Sequence, residues 1–346
     1  MTPRQVTLAE VANHAGVSLA TASRVLNGST RQVSDELRDR VVGSARELGY
    51  LPNAAAQALA RNSSVLVGLV VHDISDPYFS SIAAGVTRVA EEAGLVVVLG
   101  TTGRDPEREV ELLYTLRAHR ARAVVIAGSR TTDRAATARL AAEVEAFTAQ
   151  GGRVACVSQA RIPADTVVPS NRAGARALAR ELTALGHERF AVLAGPPNLV
   201  VARDRLAGFR AGLADAGIDL PASSVVTGAF TRDGGHAAAT ELLAAKTGAT
   251  CVFAVNDVMA LGAMAALREA GLRVPEDVSV AGFDDIPTLR DLVPGLSTVR
   301  LPLEELGERA ARLVLDEGTD EVRTVKVAGE VVLRASTRAP SGTGLR

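Results

Sequence analysis

Polar side chains follow several of the apolar, strand-like runs in the region after residue 63. In chain order they are His72 and Asp73, Arg203 and Arg205, Asn256 and Asp257, and Asp284 and Asp285. Ligands of parallel α/β sheets sit at the carboxyl ends of the strands. A guanidinium donates hydrogen bonds, a carboxylate accepts them and an amide does both. These residues therefore predict a site for a polar small molecule.

No arrangement of residues indicates catalysis. The five histidines lack metal-ligand spacing, and the chain has no Gly-x-Ser-x-Gly elbow, phosphate-binding loop or dinucleotide fingerprint. His72 beside Asp73 could form an acid–base pair, but a pocket-lining or hydrogen-bonded histidine is the favoured interpretation. We therefore expect no enzyme activity, no metal and no cofactor.

Composition indicates folded domains. The 346 residues are 47% apolar and 22% charged, with a net charge of −1, which suits two or three globular domains. No apolar run approaches the roughly 20 residues of a membrane span, and no apolar signal core follows Met1. Cys156 and Cys251 lie in strand-like runs, as buried thiols in a reducing compartment would. We expect a cytoplasmic protein with no membrane partner.

Strand-like and helical segments alternate after residue 63. Fully apolar strands alternating with helices predict parallel sheets that are covered on both faces. The pattern repeats after about residue 165, which predicts two Rossmann-like lobes with a cleft between them. Three crossovers are expected, near 158–164, 287–294 and 296–303. Such connections permit hinge closure.

The first fifty residues predict three short helices. Thr7 and Glu10 fit a capping box at the start of the first helix. Gly16 breaks this helix, Ser18 can cap a second one to Leu26, and a third follows Ser34. Two short helices joined by a tight turn with glycine are typical of a helix-turn-helix. The alternative is any other three-helix bundle.

Two groups of segments resemble the lactose/galactose repressor (LacI/GalR) family. Residues 7–12, 15–18, 21–28 and 49–60 match the family headpiece almost continuously, except that Ala22 stands where the family usually has Val. Residues 73–79, 193–196, 205–209, 256–262 and 271–280 match its effector domain, itself similar to periplasmic sugar-binding proteins.

The resemblance implies an α/β chain of several parts. An N-terminal helix-turn-helix three-helix headpiece (1–52) and a hinge helix with linker (53–62) precede a two-lobed periplasmic-binding-protein-like core of parallel sheets flanked by helices (63–340). Its N-terminal lobe spans about 63–162 and 298–327, and its C-terminal lobe about 163–292 and 328–340. Residues 341–346 form a tail.

The resemblance also implies DNA contacts. The second helix would enter the major groove and present Leu19, Ala20 and Arg24 to base edges. Arg24 can donate two hydrogen bonds to guanine, whereas Leu19 and Ala20 offer apolar contact. The alternative for Arg24 is a solvated surface arginine. The candidates for phosphate contacts or helix caps are Thr7, Ser18, Thr21, Ser23, Asn27, Arg31 and Asn53.

The segment from Asn53 to Arg61 resembles the hinge helix of the family. A helix this short is unstable alone in water, and in the family it orders when two copies pair on DNA. Leu59 matches the leucine that wedges between base pairs from the minor groove. The alternative is an ordinary linker helix with Leu59 packed against the core.

In the effector domain, Arg205, Asn256 and Asp284 match positions where the family contacts its effector. Arg205 and Asp284 could bracket a hydroxyl, and Phe230 matches an aromatic that stacks on a sugar ring. The remaining candidates are Asp73, Tyr78, Phe79 and Ser129. The alternative for Asn256 and Asp284 is that they cap helices. The effector is expected to be a sugar or sugar derivative.

The segment Leu301-Pro302-Leu303 departs from the family pattern, which often has a polar residue before this proline. An apolar pocket floor would indicate an effector different from those of the well-known sugar repressors. The chain lacks a terminal leucine heptad, so we expect no coiled-coil tetramer.

The expected function is transcriptional regulation, with repression favoured. A homodimer would bind a pseudopalindromic operator in double-stranded DNA and change its DNA affinity on binding the effector. The alternatives are a sugar-binding module without DNA binding and a sugar-acting α/β enzyme.

Overall fold

The computed structural model describes residues 6–27, 33–51, 64–316, 321–340 and 344–345. The chain divides into two compact units, Met1–Val65 and Leu66–Arg346. Within the described residues, no helix is both long and apolar enough to cross a membrane.

The first unit contains the three predicted helices: α1 (Leu8–His14), α2 (Leu19–Asn27) and α3 (Asp35–Glu47). The capping box forms, because Glu10 N donates to Thr7 Oγ1 at 3.3 Å and Thr7 N donates to Glu10 Oε2 at 2.7 Å. Gly16 adopts φ +61° in the turn after α1, a conformation that favours glycine. The small core of the unit consists of Val11, Ala12, Ala15, Ala22, Val41 and Ala45.

The second unit contains twelve described strands: β1 (Leu66–Val71), β2 (Val96–Thr101), β3 (Ala123–Ala127), β4 (Arg153–Val157), β5 (Asp165–Pro169), β6 (Phe190–Ala194), β7 (Val225–Thr227), β8 (Cys251–Ala254), β9 (Ser279–Ala281), β10 (Thr298–Arg300), β11 (Thr324–Val327) and β12 (Glu330–Val332). One parallel sheet has the order β11-β5-β4-β3-β1-β2, and a second has the order β7-β6-β8-β9. The two lobes of the unit form around these sheets, as predicted.

The helices of this unit are α4 (Pro77–Glu92), α5 (Pro106–Ala118), α6 (Arg134–Thr148), α7 (Asn171–Ala184), α8 (Val200–Asp215), α9 (Arg232–Ala244), α10 (Asp257–Glu269) and α11 (Leu303–Leu315). Two helix pairs cross closely at glycines. A Cβ at Gly85 of α4 would collide with the carbonyl oxygen of Glu304 in α11, and one at Gly208 of α8 with that of Arg172 in α7. These contacts hold the helices against their sheets.

The boundary between the lobes differs from the prediction. Strand β5, which the sequence pattern missed, pairs with β4 and β11 in the first sheet. The chain therefore leaves the first lobe after Pro169 and not near residues 158–164. Polar and small residues around this short strand weaken its apolar signal, and only its two neighbours define it.

The return crossings involve a separate pair of strands. Strands β10 and β12 pair antiparallel, and β10 also bridges Asp284 through Arg300. The chain enters the first lobe between β10 and α11, within the predicted crossover at 296–303. It leaves again between β11 and β12. The crossover expected at 287–294 is wrong, since this segment forms a 3-10 turn at Pro287–Asp291.

Candidate functional site

A cavity lies between the two lobes of the second unit, at the carboxyl ends of both sheets. The space between its lining atoms, including its opening to solvent, is about 610 Å³. Seven of the eight predicted effector residues line it: Tyr78, Phe79, Ser129, Arg205, Phe230, Asn256 and Asp284.

Arg205 and Asp284 form the polar centre of this cavity. Arg205 Nη2 donates to Asp284 Oδ1 at 2.6 Å, and Nη1 donates to Oδ2 at 3.1 Å. Arg205 also donates to Asn171 Oδ1 at 2.8 Å and to the Val255 carbonyl at 2.7 Å. The two side chains thus contact each other directly, whereas the prediction had them on either side of a ligand hydroxyl. One Nη2 proton of Arg205 has no acceptor among the described residues.

Electrostatics around Arg205 are dominated by buried acids. Burial raises the pKa of Asp284 to about 7, against the opposing charge of Arg205. Burial also raises the pKa of Asp257 to about 6, although Thr298 Oγ1 and Ile286 N donate to its carboxylate. Burial also raises the pKa of Asp76. Burial thus opposes the ionised form of all three carboxyl groups, and Arg205 partly offsets this effect at Asp284.

The backbone is strained next to this ion pair. Asp284 and Asp285 have φ values of 119° and 57°, which residues other than glycine rarely adopt. Asp284 faces Arg205, whereas Asp285 accepts hydrogen bonds from Arg300 of β10 and from Arg334, two residues after β12. Two adjacent residues thus connect the cavity with the segments by which the chain crosses between the lobes. Backbone strain of this kind is often retained at functional sites.

Asn256 has both of the roles considered for it. Its Oδ1 accepts from Met259 N at 3.0 Å and caps α10. The residue also lines the cavity, and its amide nitrogen has no acceptor among the described residues. The Asn256 side chain therefore caps α10 with its oxygen and leaves its amide nitrogen to donate to a ligand.

Aromatic side chains from both lobes line the cavity. Tyr78 and Phe79 make an edge-to-face contact at 5.0 Å, and both belong to the first lobe. Phe230 belongs to the second lobe, and the Arg104 guanidinium lies 5.9 Å from its ring centroid. Arg104 Nη2 also donates to the Phe230 carbonyl at 3.2 Å. The cavity thus combines flat apolar surfaces with grouped hydrogen-bonding side chains.

Asp73 does not line this cavity, which corrects the prediction. Its Oδ1 accepts from Ser75 N at 2.9 Å and from Ser75 Oγ at 2.7 Å, a local turn that lowers the pKa of the carboxyl. Asp73 therefore shapes the loop after β1. Asp76, three residues later, lines the cavity in its place.

The segment Leu301-Pro302-Leu303 also lies elsewhere. Leu301 and Leu303 are buried, and the segment borders a separate groove with Asp285 and Arg300. The interpretation of these residues as a pocket floor is wrong, because none of the three lines the cavity. They carry no information about the ligand.

Several further residues, which were not among the eight predicted effector residues, also line the cavity. They are His72, Asp76, Arg104, Ser158, Gln159 and Asn171. His72 agrees with the favoured pocket-lining interpretation: its Nδ1 lies 2.9 Å from Thr102 Oγ1, and burial lowers its pKa to about 4. Its position after β1 was a signal for it, as was that of Ser158 and Gln159 after β4. Arg104 and Asn171 had no comparable signal.

In the first unit, the three predicted base-reading residues are exposed. They share α2, and Leu19 has 54% of its surface accessible. Among the predicted phosphate contacts, Thr7 is engaged by Glu10, and Ser18 Oγ accepts from Thr21 N at 3.1 Å. Ser23 lies on the same helix. Asn27 ends α2, but its side chain lies outside the described residues, as do Arg31, Asn53 and Leu59.

The described residues hold no group of three or more acids, histidines or cysteines that could bind a metal ion. Cys156 and Cys251 are buried and form no disulfide, and burial raises the pKa of both thiols.

Two family models match the chain. Residues 7–53 match the bacterial regulatory proteins of the lacI family, and residues 179–337 match a periplasmic binding protein-like domain. The transcriptional regulator GalS of Salmonella typhimurium is 36% identical over 313 residues, covering 90% of this chain and 89% of GalS.

Solved structures agree over nearly the whole chain. The lac repressor dimer bound to operator and an anti-inducer has a TM-score of 0.84 and 30% identity, covering 97% of this chain and 100% of the repressor chain. The regulator CelR in complex with cellobiose has a TM-score of 0.70 and 32% identity, covering 96% of this chain and 100% of CelR. The helix-turn-helix unit, the two-lobed unit with its cleft, and these relatives together show that the chain belongs to the lacI family of bacterial regulatory proteins.

Proposed function

We propose that the chain is a repressor that binds a pseudopalindromic operator as a homodimer and changes its DNA affinity when a sugar or sugar derivative occupies the cleft. One observation carries this proposal: a helix-turn-helix with exposed reading positions shares a chain with a cleft that is lined by both aromatic and hydrogen-bonding side chains. No feature of the described residues favours a second function.

The lining of the cleft supports a polyhydroxylated ligand. Phe230, Tyr78 and Phe79 offer flat apolar surfaces, which suit the C–H face of a sugar ring. In the same cavity, the Nη2 proton of Arg205 that has no acceptor among the described residues and the amide nitrogen of Asn256 can donate, and the Asp284 carboxylate can accept. CelR, which is similar over its whole length, was solved with cellobiose.

An exposed apolar edge supports a dimer. Strand β2 ends the six-stranded sheet, and Val96, Val98 and Leu99 on it are exposed. An unpaired, apolar edge strand is unfavourable in a monomer, and a second copy would cover it. A pseudopalindromic site needs two reading helices, which a twofold dimer supplies.

The DNA contacts follow from the exposed face of α2. Arg24 is proposed to read a guanine, while Leu19 and Ala20 contact apolar base edges. Leu59, outside the described residues, is proposed to insert into the minor groove and to bend the DNA. Leu59→Ala should then reduce the bend angle of the operator complex, measured by fluorescence transfer between labelled DNA ends. An unchanged bend would refute the wedge.

The test of the whole proposal is selection of bound sequences from a random DNA pool with the purified full chain. The expected product is a pseudopalindrome with a central CG step. The selected operator is then titrated with the protein in the presence of D-ribose, D-galactose and cellobiose. A sugar that changes affinity in the wild-type chain but not in Asp284→Asn would support the cleft as the effector site. Failure to enrich any motif, with and without these sugars, would contradict the proposal.

A further inference from the structure

Helix α8, which carries Arg205, lacks a cap of its own. Its N-cap residue is Leu199, whose apolar side chain cannot accept a hydrogen bond. Five other helices near the cleft have capping side chains: Asp76 for α4, Asp105 for α5, Asp133 for α6, Thr231 for α9 and Asn256 for α10, whereas Ser170 before α7 makes no side-chain cap. The first N–H groups of a helix have no partners within it, so those of α8 need acceptors from elsewhere.

The acceptors come from the other lobe. The loop after β3, residues 128–133 (the capping loop), meets the segment 196–201 that leads into α8. Val200 N donates to the Arg130 carbonyl at 3.0 Å, and Val201 N donates to Ser129 Oγ at 3.0 Å. One further bond crosses in the opposite direction, since Thr132 N donates to the Asn198 carbonyl at 2.8 Å. Three hydrogen bonds thus cross the mouth of the cleft.

A buried ion pair holds the capping loop in place. The Arg130 guanidinium donates to both Glu109 oxygens, at 2.9 and 2.6 Å, and to Ser158 Oγ at 3.2 Å. Arg130 N also donates to Gln159 Oε1 at 2.9 Å. Arg130 and Glu109 are both buried. A pair of this kind contributes little net stability but fixes geometry, because its partners must stay together.

The hydroxyl hydrogen of Ser129 and one of its two lone pairs are already used within the protein in this conformation. The hydroxyl donates to the Arg130 carbonyl at 3.0 Å and accepts from Val201 N. Ser129 was predicted to bind the effector, and it does line the cavity. Its bonds, however, join the two lobes. Leu199 and Val201 line the same cavity, so the capped segment also forms part of the cavity wall.

We propose that the capping loop caps α8 across the cleft, so that closure of the lobes completes the helix that carries Arg205, with Ser129 and the Glu109–Arg130 pair as positioning residues. Opening the cleft exposes the N–H groups of Val200 and Val201 to water and breaks all three bonds. Closure is thus favoured by the chain itself and does not require an occupied cavity. This inference depends neither on the identity of the effector nor on DNA binding.

The test is hydrogen–deuterium exchange of the full chain without any added ligand, read on peptides that cover Thr132 and residues 200–201. In the wild type these amides should exchange at least tenfold more slowly than unstructured amides. Ser129→Ala and Glu109→Gln should each accelerate exchange at 200–201 by roughly fivefold, as expected for the loss of one supported hydrogen bond. The effect appears on the lobe that does not carry the substitution.

Glu143→Gln is the matched control. Glu143 of α6 pairs with Arg117 of α5 at 2.7 Å. This pair also anchors α5, the helix that carries Glu109, but it does not involve the capping loop. Glu143→Gln should leave exchange at 200–201 unchanged, and β3 should stay protected in every variant. Three results would each overturn the inference: unprotected amides at 200–201 in the wild type, no acceleration in Ser129→Ala and Glu109→Gln, or equal acceleration in β3 and at 200–201.

Discussion

The two proposed binding surfaces differ in whether their side chains are free or fixed by other side chains before a ligand binds. On α2, Leu19 is 54% exposed and Arg24 is exposed, and a single helix suffices to display them. In the cleft, Arg205 and Asp284 are 2% and 4% exposed and hold each other in place across 79 positions of sequence. One surface leaves its side chains free, whereas the other fixes them before any ligand arrives.

This difference has an energetic consequence. Removing an exposed reading residue should affect binding more than the fold, because much of its side chain is in contact with solvent. Removing one member of a buried pair leaves the other charged and unsolvated. Variants in the cleft should therefore change stability and binding together, and variants on α2 should change binding alone.

Asp284→Ala should give the largest effect. It leaves the Arg205 guanidinium buried without its carboxylate, which costs about 3–5 kcal/mol of unfolding free energy. Urea unfolding of the full chain, followed by pulsed hydrogen exchange, would show the loss in the second unit and none in α1–α3. Asp284→Asn, which keeps an acceptor, should lose less. An equal loss of unfolding free energy in both units would contradict the proposed difference between the cleft and α2.

Arg24→Ala should weaken specific operator binding by about 1–3 kcal/mol while weak nonspecific binding remains. Its urea midpoint should match that of the wild type. Arg268→Ala changes the same charge at an exposed position of the second unit and should leave operator affinity unaltered. Full operator affinity in Arg24→Ala, measured by fluorescence anisotropy, would exclude a base-reading role.

Asp257 makes the stability of the second unit depend on pH. Its folded pKa of about 6 lies above the ordinary value near 4, so the folded state keeps a proton that the unfolded chain releases. The associated stability is complete below about pH 4 and is lost as pH rises through about 6, by at most about 1.4 kcal/mol per pH unit.

The measurement is urea unfolding from pH 4 to 7 for the wild type and Asp257→Asn. The asparagine can accept from Ile286 N and donate to Thr298 Oγ1, so it is a close isostere. The difference in unfolding free energy between the two chains should fall with rising pH. A difference that is constant over this range would contradict the raised pKa.

Thr7→Ala should give the smallest effect, a loss of about 1 kcal/mol confined to the first unit, because it removes the capping box of α1. Thr7→Ser keeps the hydroxyl and should retain most of the stability. Hydrogen exchange of α1 in the full chain would report both. If Thr7→Ala left α1 fully protected, the hydroxyl of Thr7 would not stabilise this helix.

Much of the fold was predictable because the signals are local. The Thr7–Glu10 box, Gly16 and the apolar strand runs each depend on neighbours in sequence, and all three appear in the structure. Strand β5 was missed because its pairing with β4 and β11 defines it, and these partners are distant in the chain. The lobe boundary was misplaced for the same reason.

The candidate site was likewise predictable only in part. Arg205, Asn256 and Asp284 could be placed at the cleft because parallel strands end at a common edge. The same rule placed Asp73 there, but an Asx turn with Ser75 keeps its side chain in the loop. Arg104 and Asn171 were not predicted, because only folding brings them to the cavity.

By itself the sequence determined the helix-turn-helix, the alternation of strands and helices, and the residue types that can bind DNA and a polar ligand, since propensity, capping and periodicity act over a few residues. The tertiary structure decided which of those groups remain free. In the folded chain Arg205 pairs with Asp284, and Ser129 Oγ accepts a hydrogen bond from Val201 N in α8 of the other lobe. Hydrogen bonds between residues far apart in the chain depend on how the lobes pack, and no local pattern encodes that packing.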